Sequence, residues 1–215
     1  MKEILSNTRK KRSGSVFADF AASLCLSASG AAAGVFSKFL DEHHSDLPQP
    51  FLNIENTLDF HNFLSTLAPW MLICVCISVF SRSPVKAALN VFLFLAAMLC
   101  GYYIYCYYEA GFFPLSYVMI WAIITVLSPL AAFFAWYSRG TNILSMIISG
   151  LILGFSANVA FSFGMLYFSF RSPLYTAAFV AMAAALIKPP VKMLIVLLIA
   201  FIFAVIINAV SPIAF

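Results

Sequence analysis

The side chains with the clearest capacity for chemistry lie in one polar segment, residues 41–61. This segment contains all three histidines, His43, His44 and His61, together with several acids. Imidazole and carboxylate groups are ligands for divalent cations. However, His43 and His44 are adjacent and cannot easily share one ion, and the segment lacks a recognised spacing of metal ligands. The sequence therefore favours a solvated loop, and neither a metal site nor a cofactor is predicted.

Sequence motifs for catalysis are missing from the chain. There is no Gly-rich phosphate loop, no His-Glu-x-x-His pair and no Gly-x-Ser-x-Gly nucleophile elbow. Asp19 is an acid inside a predicted span, but it lies near the membrane surface and the basic run Arg9–Arg12, which favours a helix-start acid over a proton relay. We therefore expect no enzymatic activity. Membrane topology and contact with anionic lipid account for the basic run, so nucleic-acid binding is not expected.

A stripe of small and polar residues marks the predicted fifth membrane span. Gly150, Gly154, Asn158 and Ser162 follow one another at intervals of four, which places them on one slowly turning helix face. In lipid, small residues allow close helix packing and polar side chains bond between helices. We therefore assign Gly150 and Gly154 to packing. Asn158 and Ser162 either bond to a neighbouring helix or line a polar cavity.

Polar and aromatic residues of two other spans extend this cavity hypothesis. Asn90 lies in the third span, and Trp121 and Thr125 precede Pro129 in the fourth. A proline inside a helix bends it and frees a carbonyl group, and bent helices often border cavities. Bending without a cavity is the alternative. The candidate cavity-lining residues are Asn90, Trp121, Thr125, Asn158 and Ser162.

The first span carries a second small-residue face. Gly30 and Gly34 are four residues apart, with Ser23 and Ser27 on the preceding turns. Such a face packs against another helix of the same chain or docks a partner membrane protein. The sequence leaves both possibilities open.

Composition defines the elements that must position these residues. Of the 215 residues, 63% are hydrophobic and only 9% are charged, and the mean hydropathy is +0.99. A soluble domain has about 25% charged residues. This composition excludes an ordinary soluble enzyme, a disordered chain and a nucleic-acid-binding domain. The apolar runs are unbroken rather than alternating, which predicts an all-α transmembrane helix bundle and not a β-barrel.

Seven spans fit the chain, since each needs roughly 20 apolar residues. They are predicted at 16–40, 62–80, 84–108, 115–137, 142–168, 173–187 and 191–209. Residues 1–13 form a basic cytoplasmic tail, and residues 14–215 form one transmembrane domain with a polar outer loop at 41–61. The span 173–187 reaches only about 22 Å, and if it were re-entrant the chain would have six spans.

The distribution of lysine and arginine predicts the orientation, because these residues favour cytoplasmic ends. With a cytoplasmic N-terminus, ten of the twelve fall inside and only Lys38 and Arg171 fall outside. A re-entrant 173–187 segment would move Lys188 and Lys192 outside and weaken this bias. The charges therefore favour seven spans.

The tripeptide Arg-Ser-Pro occurs at Arg82–Pro84 and again at Arg171–Pro173. The two copies would have opposite membrane topology, as in the inverted repeats of many transporters. Proline at a helix start is also ordinary helix chemistry. Because a match of only three residues is weak evidence for a repeat, the sequence favours ordinary helix-start chemistry.

The middle third of the chain resembles a known family. The motifs are Ser-Arg-Ser-Pro-Val-Lys-Ala-Ala at 81–88, Gly-Tyr-Tyr at 101–103, Gly-Phe-Phe-Pro at 111–114 and Trp-Tyr-Ser-Arg-Gly at 136–140. They are similar to those of an uncharacterised family of small bacterial multi-pass inner-membrane proteins, a domain of unknown function. The resemblance implies a bacterial plasma membrane and no established activity. The short loops also resemble the architecture of the substrate-binding membrane subunits of vitamin-uptake transporters.

These observations predict a transport-type or small-solute-binding membrane component. The alternative is a non-catalytic membrane scaffold or partner subunit that acts through the Gly30 and Gly34 face. Expected partners are membrane lipid and either a small solute or another membrane protein.

Overall fold

The computed structural model describes residues 8–111, 115–163 and 167–210. Parts of four sequence features lie outside these ranges. They are the first seven residues of the predicted basic tail, residues 112–114 of the Gly-Phe-Phe-Pro motif, residues 164–166 of the predicted fifth span and residues 211–215 of the predicted transmembrane domain.

The described chain is almost entirely helical. Its helices are α1 (Val16–His43), α2 (Gln49–Leu58), α3 (Phe60–Ser65), α4 (Leu67–Phe80), α5 (Pro84–Ala110), α6 (Leu115–Trp136), α7 (Ile143–Ala160), α8 (Pro173–Ala185) and α9 (Pro190–Val210). Short 3₁₀ turns follow α1 at His44–Asp46 and α6 at Tyr137–Arg139. One hairpin, β1 (Phe161–Phe163) and β2 (Phe168–Phe170), lies between α7 and α8.

Five of the described helices, namely α1, α5, α6, α7 and α9, are long and apolar enough to cross a membrane. Helices α4 and α8 are also apolar but have only 14 and 13 residues, or about 20 Å of helix each. The all-α prediction is confirmed, and the long helices are those of an integral membrane protein.

The predicted fifth span, 142–168, is wrong at its C-terminal end. Helix α7 ends at Ala160, and the following residues form the antiparallel pair of β1 and β2. Alternating Phe and Ser residues favour a strand because aromatic side chains suit a pleated surface. Ser162 pairs with Ser169 in this hairpin. It therefore does not continue the helical stripe of Gly150, Gly154 and Asn158.

The segment predicted as a polar outer loop contains regular structure. Helix α2 occupies half of residues 41–61, and α3 begins at Phe60. Asp59 joins α2 to α3 in a left-handed conformation, with φ 57°. Because aspartate tolerates this conformation better than most residues, the chain can turn here without glycine.

Basic residues from separate segments meet at one end of the bundle, which we call the basic end. Arg9 donates to the carbonyl groups of Val79 and Trp136, and Lys188 donates to the carbonyl group of Gly140. These contacts bring together the C-terminal ends of α4, α6 and α8. The basic end consists of Arg9, Arg82, Lys86, Arg139, Lys188 and Lys192.

Helices α4 and α8 run side by side in the same direction. The ring of Phe63, in α3 just before α4, meets the ring of Tyr175, near the start of α8, edge to face with centroids 5.2 Å apart. Near their ends, Val79 and Met182 belong to one buried apolar cluster. Helix α8 therefore runs through the bundle to the basic end. The opposite end, which we call the acidic end, carries Asp41, Glu42, Asp46, Glu55 and Asp59.

The helices form two triplets with the same construction, α1–α4–α5 and α7–α8–α9. Each triplet has a long, a short and a long helix in that order. A Gly-x-x-x-Gly pair in the first helix packs against the third. The third helix of each triplet opens with a basic residue followed by x-Pro-Val-Lys, at Arg82–Lys86 and Lys188–Lys192. Since both triplets run in the same direction, this repeat is parallel, and α6 connects the two copies.

The Arg-Ser-Pro tripeptides start helices that do not correspond in this repeat. The first opens α5, the third helix of its triplet, and the second opens α8, the middle helix. In both, the serine caps the helix: Ser83 Oγ accepts from the backbone N–H of Lys86 (3.2 Å) and Ser172 Oγ accepts from that of Leu174 (3.3 Å). The tripeptides therefore share helix-start chemistry.

Candidate functional site

A groove of about 770 Å³ separates α6 from α7, with α4 and α5 as its floor. Small-molecule sites commonly enclose about 300–1,000 Å³. The groove follows α6 from Trp121 to Ala135 and α7 from Leu144 to Phe155. At 1.5 Å per residue, the α6 stretch is about 20 Å long. This length is about two thirds of the thickness of a hydrocarbon core, which is about 30 Å.

The groove exists because α6 packs against the first triplet and barely touches α7. Trp121 and Ala132 of α6 belong to a buried cluster with Val91 and Leu95 of α5. Toward α7, several of the side chains that α6 presents to the groove are too small to fill the space. They are Ser128, Ala131 and Ala135.

The mouth of the groove opens sideways, toward the surroundings of the bundle. Leu127 and Phe134 on α6 and Ile147 and Leu151 on α7 line it, and each is 39–59% exposed. In an integral membrane protein, the surroundings of these residues are lipid chains.

The groove offers little hydrogen-bonding capacity to a ligand. Its hydroxyl groups bond within their own helices: Ser78 Oγ donates to the carbonyl group of Cys74 (2.7 Å) and Ser128 Oγ to that of Thr125 (2.8 Å). None of the lining residues that the structure describes is charged. Chemically, this surface suits a hydrocarbon chain and does not suit a polar solute.

The structure does not bring the five predicted cavity residues together. Trp121 lines the groove, whereas the other four candidates do not. Asn90 Oδ1 accepts from Ser23 Oγ (2.7 Å), which joins α5 to α1. Thr125 Oγ1 donates to the carbonyl group of Trp121 in its own helix.

Asn158 also serves as a contact between helices. Its side-chain amide donates to the carbonyl group of Ala204 in α9 at 3.1 Å, and it is buried. Ser162, in the hairpin, is outside the groove lining as well. These four residues therefore do not line the groove with Trp121, and a polar pocket between the third, fourth and fifth predicted spans stays a prediction.

The four glycines assigned to packing lie at close helix contacts. A Cβ atom at Gly30 or Gly34 would overlap the carbonyl groups of Phe94 or Met98 in α5. A Cβ atom at Gly150 would lie 2.5 Å from the Ile199 side chain, and one at Gly154 would lie 2.6 Å from the Ala200 carbonyl oxygen. Since α5 covers the Gly30 and Gly34 face, that face is not open to a partner protein.

The described part of the basic tail contacts the basic end of the bundle. Arg9 Nη1 donates to the carbonyl oxygen of Trp136 (2.6 Å) and Nη2 to that of Val79 (2.8 Å). The guanidinium also lies over the indole ring of Trp136, 4.2 Å from its centroid. Burial, with smaller contributions from Arg12 and Arg139, lowers the pKa of Arg9 to about 10. Arg9 thereby joins the ends of α4 and α6.

Asp19 balances part of this positive charge. Its carboxylate pairs with Arg82 at 3.0 Å and with Lys86 at 3.7 Å. These contacts join the start of α1 to the start of α5. They account for the acid as a structural partner of the basic end.

Lys188 lies in a pocket of carbonyl and hydroxyl oxygens at the same end. Its ammonium group donates to the carbonyl groups of Ser138 and Gly140 and to Ser145 Oγ (2.7 Å). Burial lowers the pKa of Lys188 to about 8, and the nearby charges of Lys192 and Arg139 act in the same direction.

The groove itself was missed by the sequence analysis, although a signal for it exists. Ser128, Ala131, Ala132 and Ala135 recur at helical spacing in a span otherwise rich in Phe, Leu and Ile. Such a stripe is typical of a close helix contact. Here part of the stripe instead lines the groove. Only the position of α7 distinguishes a groove from a close helix contact.

Comparison with protein-family models, curated proteins and solved structures gives no match for this chain. The resemblance to an uncharacterised inner-membrane family therefore stays a prediction.

Proposed function

We propose that this protein is a lipid-binding component of the bacterial plasma membrane, which holds a hydrocarbon chain of an amphiphile between α6 and α7. The role is that of a transport-type or solute-binding component whose solute is a lipid. The proposal assigns a binding role and no catalytic residue.

One observation carries the proposal, namely the lateral groove of about 770 Å³ with its apolar lining. A polar solute would need partners for its donors and acceptors, because unpaired polar groups are costly away from water. Ser78 and Ser128 bond to their own helices and do not supply such partners. A lipid chain needs none.

The basic end supports an anionic headgroup on this lipid. The groove ends at Ala135 and Leu144, close in sequence to Arg139. Arg139 is exposed, and its guanidinium lies 4.9 Å from the centroid of the Phe80 ring. An exposed arginine near the end of the groove suits a phosphate group, which it can bind through two parallel hydrogen bonds.

The proposal includes seven spans with the N-terminus and the basic end in the cytoplasm. The clustering of cationic residues at one end of the bundle supports this orientation. The course of the chain from Tyr175, near the start of α8, to Lys188, just after its end, supports a full crossing, because these two residues contact opposite ends of the bundle.

Photolabelling with a diazirine-bearing phosphatidylglycerol tests the proposed binding. In the purified protein in mild detergent, we expect labelled peptides to come mainly from the facing sides of α6 and α7. Ala131→Trp places a large side chain in the groove and should reduce this labelling severalfold.

Leu130→Trp is the matched control, because Leu130 is on the same helix, 63% exposed and outside the groove lining. It should leave labelling unchanged. Labelling spread evenly over all exposed helix faces, or equal labelling of the two variants, would contradict the proposal.

A further inference from the structure

Three potential metal ligands converge at the acidic end, where the sequence analysis assigned none. They are Glu55 near the end of α2, Asp59 at the α2–α3 junction and His61 in α3. One ligand atom from each lies within 4.8 Å of the other two. We propose that these residues bind a divalent transition-metal ion, with Zn²⁺ as the best match.

The backbone builds this cluster. Asp59 caps α2 in its left-handed conformation and its N–H donates to the carbonyl oxygen of Glu55 (2.8 Å). The turn brings His61 back over Glu55, so that the His61 backbone N–H donates to Glu55 Oε1 (2.9 Å). Glu55 is only 6% exposed. Its carboxylate is therefore held in place by the main chain and is not a freely rotating surface group.

The two ligand distances that involve His61 are close to those of a tetrahedral metal site, and the ligand atoms of Glu55 and Asp59 lie within 4.8 Å of each other. Bonds of about 2.0–2.2 Å from zinc to nitrogen or oxygen place neighbouring ligand atoms roughly 3.4 Å apart. His61 Nδ1 is 3.5 Å from Asp59 Oδ1 and 2.6 Å from Glu55 Oε1. The second pair would separate by less than about 1 Å as an ion replaces the hydrogen bond. His61 would bind through Nδ1 in the tautomer that carries its proton on Nε2.

The charge of the cluster favours a cation. A buried carboxylate is costly unless it is paired. In the described residues, both carboxylates contact the His61 ring, at 2.6 Å for Glu55 and 3.5 Å for Asp59. The ion pairs of Lys38, Arg82 and Lys86 involve neither carboxylate. A divalent ion would neutralise the two carboxylates together.

The donor set selects the class of metal. One imidazole nitrogen with two carboxylates suits zinc and other first-row transition ions, whereas magnesium and calcium prefer oxygen ligands alone. His44 stacks on His61 with ring centroids 3.9 Å apart and an interplanar angle of 8°. The nitrogen lone pairs of a stacked ring lie in the plane of that ring. His44 therefore packs on the face of the His61 ring and does not ligate the ion in this arrangement.

The test is a titration of the full-length protein in detergent with Zn²⁺ against a chromophoric chelator. Any affinity tag is removed and the five cysteines are alkylated, because both bind zinc. We expect one ion per chain, with no displacement by a large excess of Mg²⁺. Glu55→Gln and Asp59→Asn each remove a charged ligand, and each should weaken binding by at least about tenfold.

These two substitutions also preserve the local fold. Glutamine keeps an oxygen that accepts from the His61 N–H, and asparagine tolerates the left-handed conformation. His43→Ala is the matched control, since His43 stacks on Phe39 outside the cluster. Failure of the unmodified chain to take up stoichiometric zinc, or equal affinity in the three variants, would overturn the assignment. None of the three ligands lines the groove, so this result is independent of lipid labelling.

Discussion

Replacement of Arg9 by alanine tests whether the basic tail is part of the folded bundle. Arg9 makes two hydrogen bonds from its guanidinium to the carbonyl groups of Val79 and Trp136, residues that are fully buried. A hydrogen bond to a charged group contributes about 1.5–3 kcal/mol. Stacking on the indole adds about 0.5–1 kcal/mol.

The two hydrogen bonds share one guanidinium, so their contributions are not independent. We therefore expect Arg9→Ala to lower the free energy of unfolding by about 3 kcal/mol. Arg9→Lys should lose roughly half as much, because an ammonium group cannot match the fork of a guanidinium. Lys11→Ala is the control: Lys11 is exposed, and such substitutions usually stay within about 0.5 kcal/mol.

The assay is equilibrium unfolding by dodecyl sulfate in mixed micelles, followed by tryptophan fluorescence. The chain has three tryptophans, and Trp136 reports directly on the Arg9 contact. Coincident unfolding midpoints for Arg9→Ala and Lys11→Ala would refute the reasoning, because the tail would then be only a charged appendage.

Three further predictions concern the second triplet. Gly154→Leu should destabilise the fold by about 1–3 kcal/mol in the same assay, since its side chain must displace the Ala200 backbone of α9; Gly154→Ala should cost less. Asn158→Leu should cost about 1 kcal/mol, because the bond to Ala204 is lost, and leave lipid photolabelling unchanged; loss of labelling would return Asn158 to the binding site. Lys188 has a pKa of about 8 in the folded chain, below its value of about 10.4 in the unfolded chain. Between these two pH values the unfolded chain binds more protons, so the free energy of unfolding should rise with pH. The difference in free energy of unfolding between the unmodified chain and Lys188→Met should therefore increase over the same interval, and a flat difference would contradict this prediction.

Local chemistry made several features predictable from the sequence. The long helices follow from unbroken apolar runs, and their starts follow from Ser83 and Asn142, which cap α5 and α7. The spacing of Gly30 and Gly34 predicted a close contact, because four residues return a helix to nearly the same face. Each of these signals lies within about one turn of the residue concerned.

Features that depend on distant parts of the chain were not predictable in this way. The partners of Arg9 are carbonyl groups, which every residue has and no sequence pattern marks. The hairpin was missed because Phe-Ser-Phe at Phe161–Phe163 is apolar enough to extend a helical run. The convergence of Glu55 and His61 depends on one left-handed residue, Asp59, in a segment that the sequence predicts as a loop.

Helix α6 belongs to neither triplet, and this bears on how a lipid chain would enter the groove. Each triplet keeps its closest contacts within itself, at the glycine pairs of α1 and α7. Along its length, helix α6 packs mainly on the first triplet, and the second triplet holds it chiefly at the basic end, where Lys188 bonds to the carbonyl groups that follow it. Pro129 interrupts the hydrogen bonding of α6 at mid-length. Tilting α6 would therefore change the width of the groove, while α1 and α5, and α7 and α9, stay in contact at their glycine pairs. Entry and exit of a chain from the side would then need no rearrangement of the remaining helices.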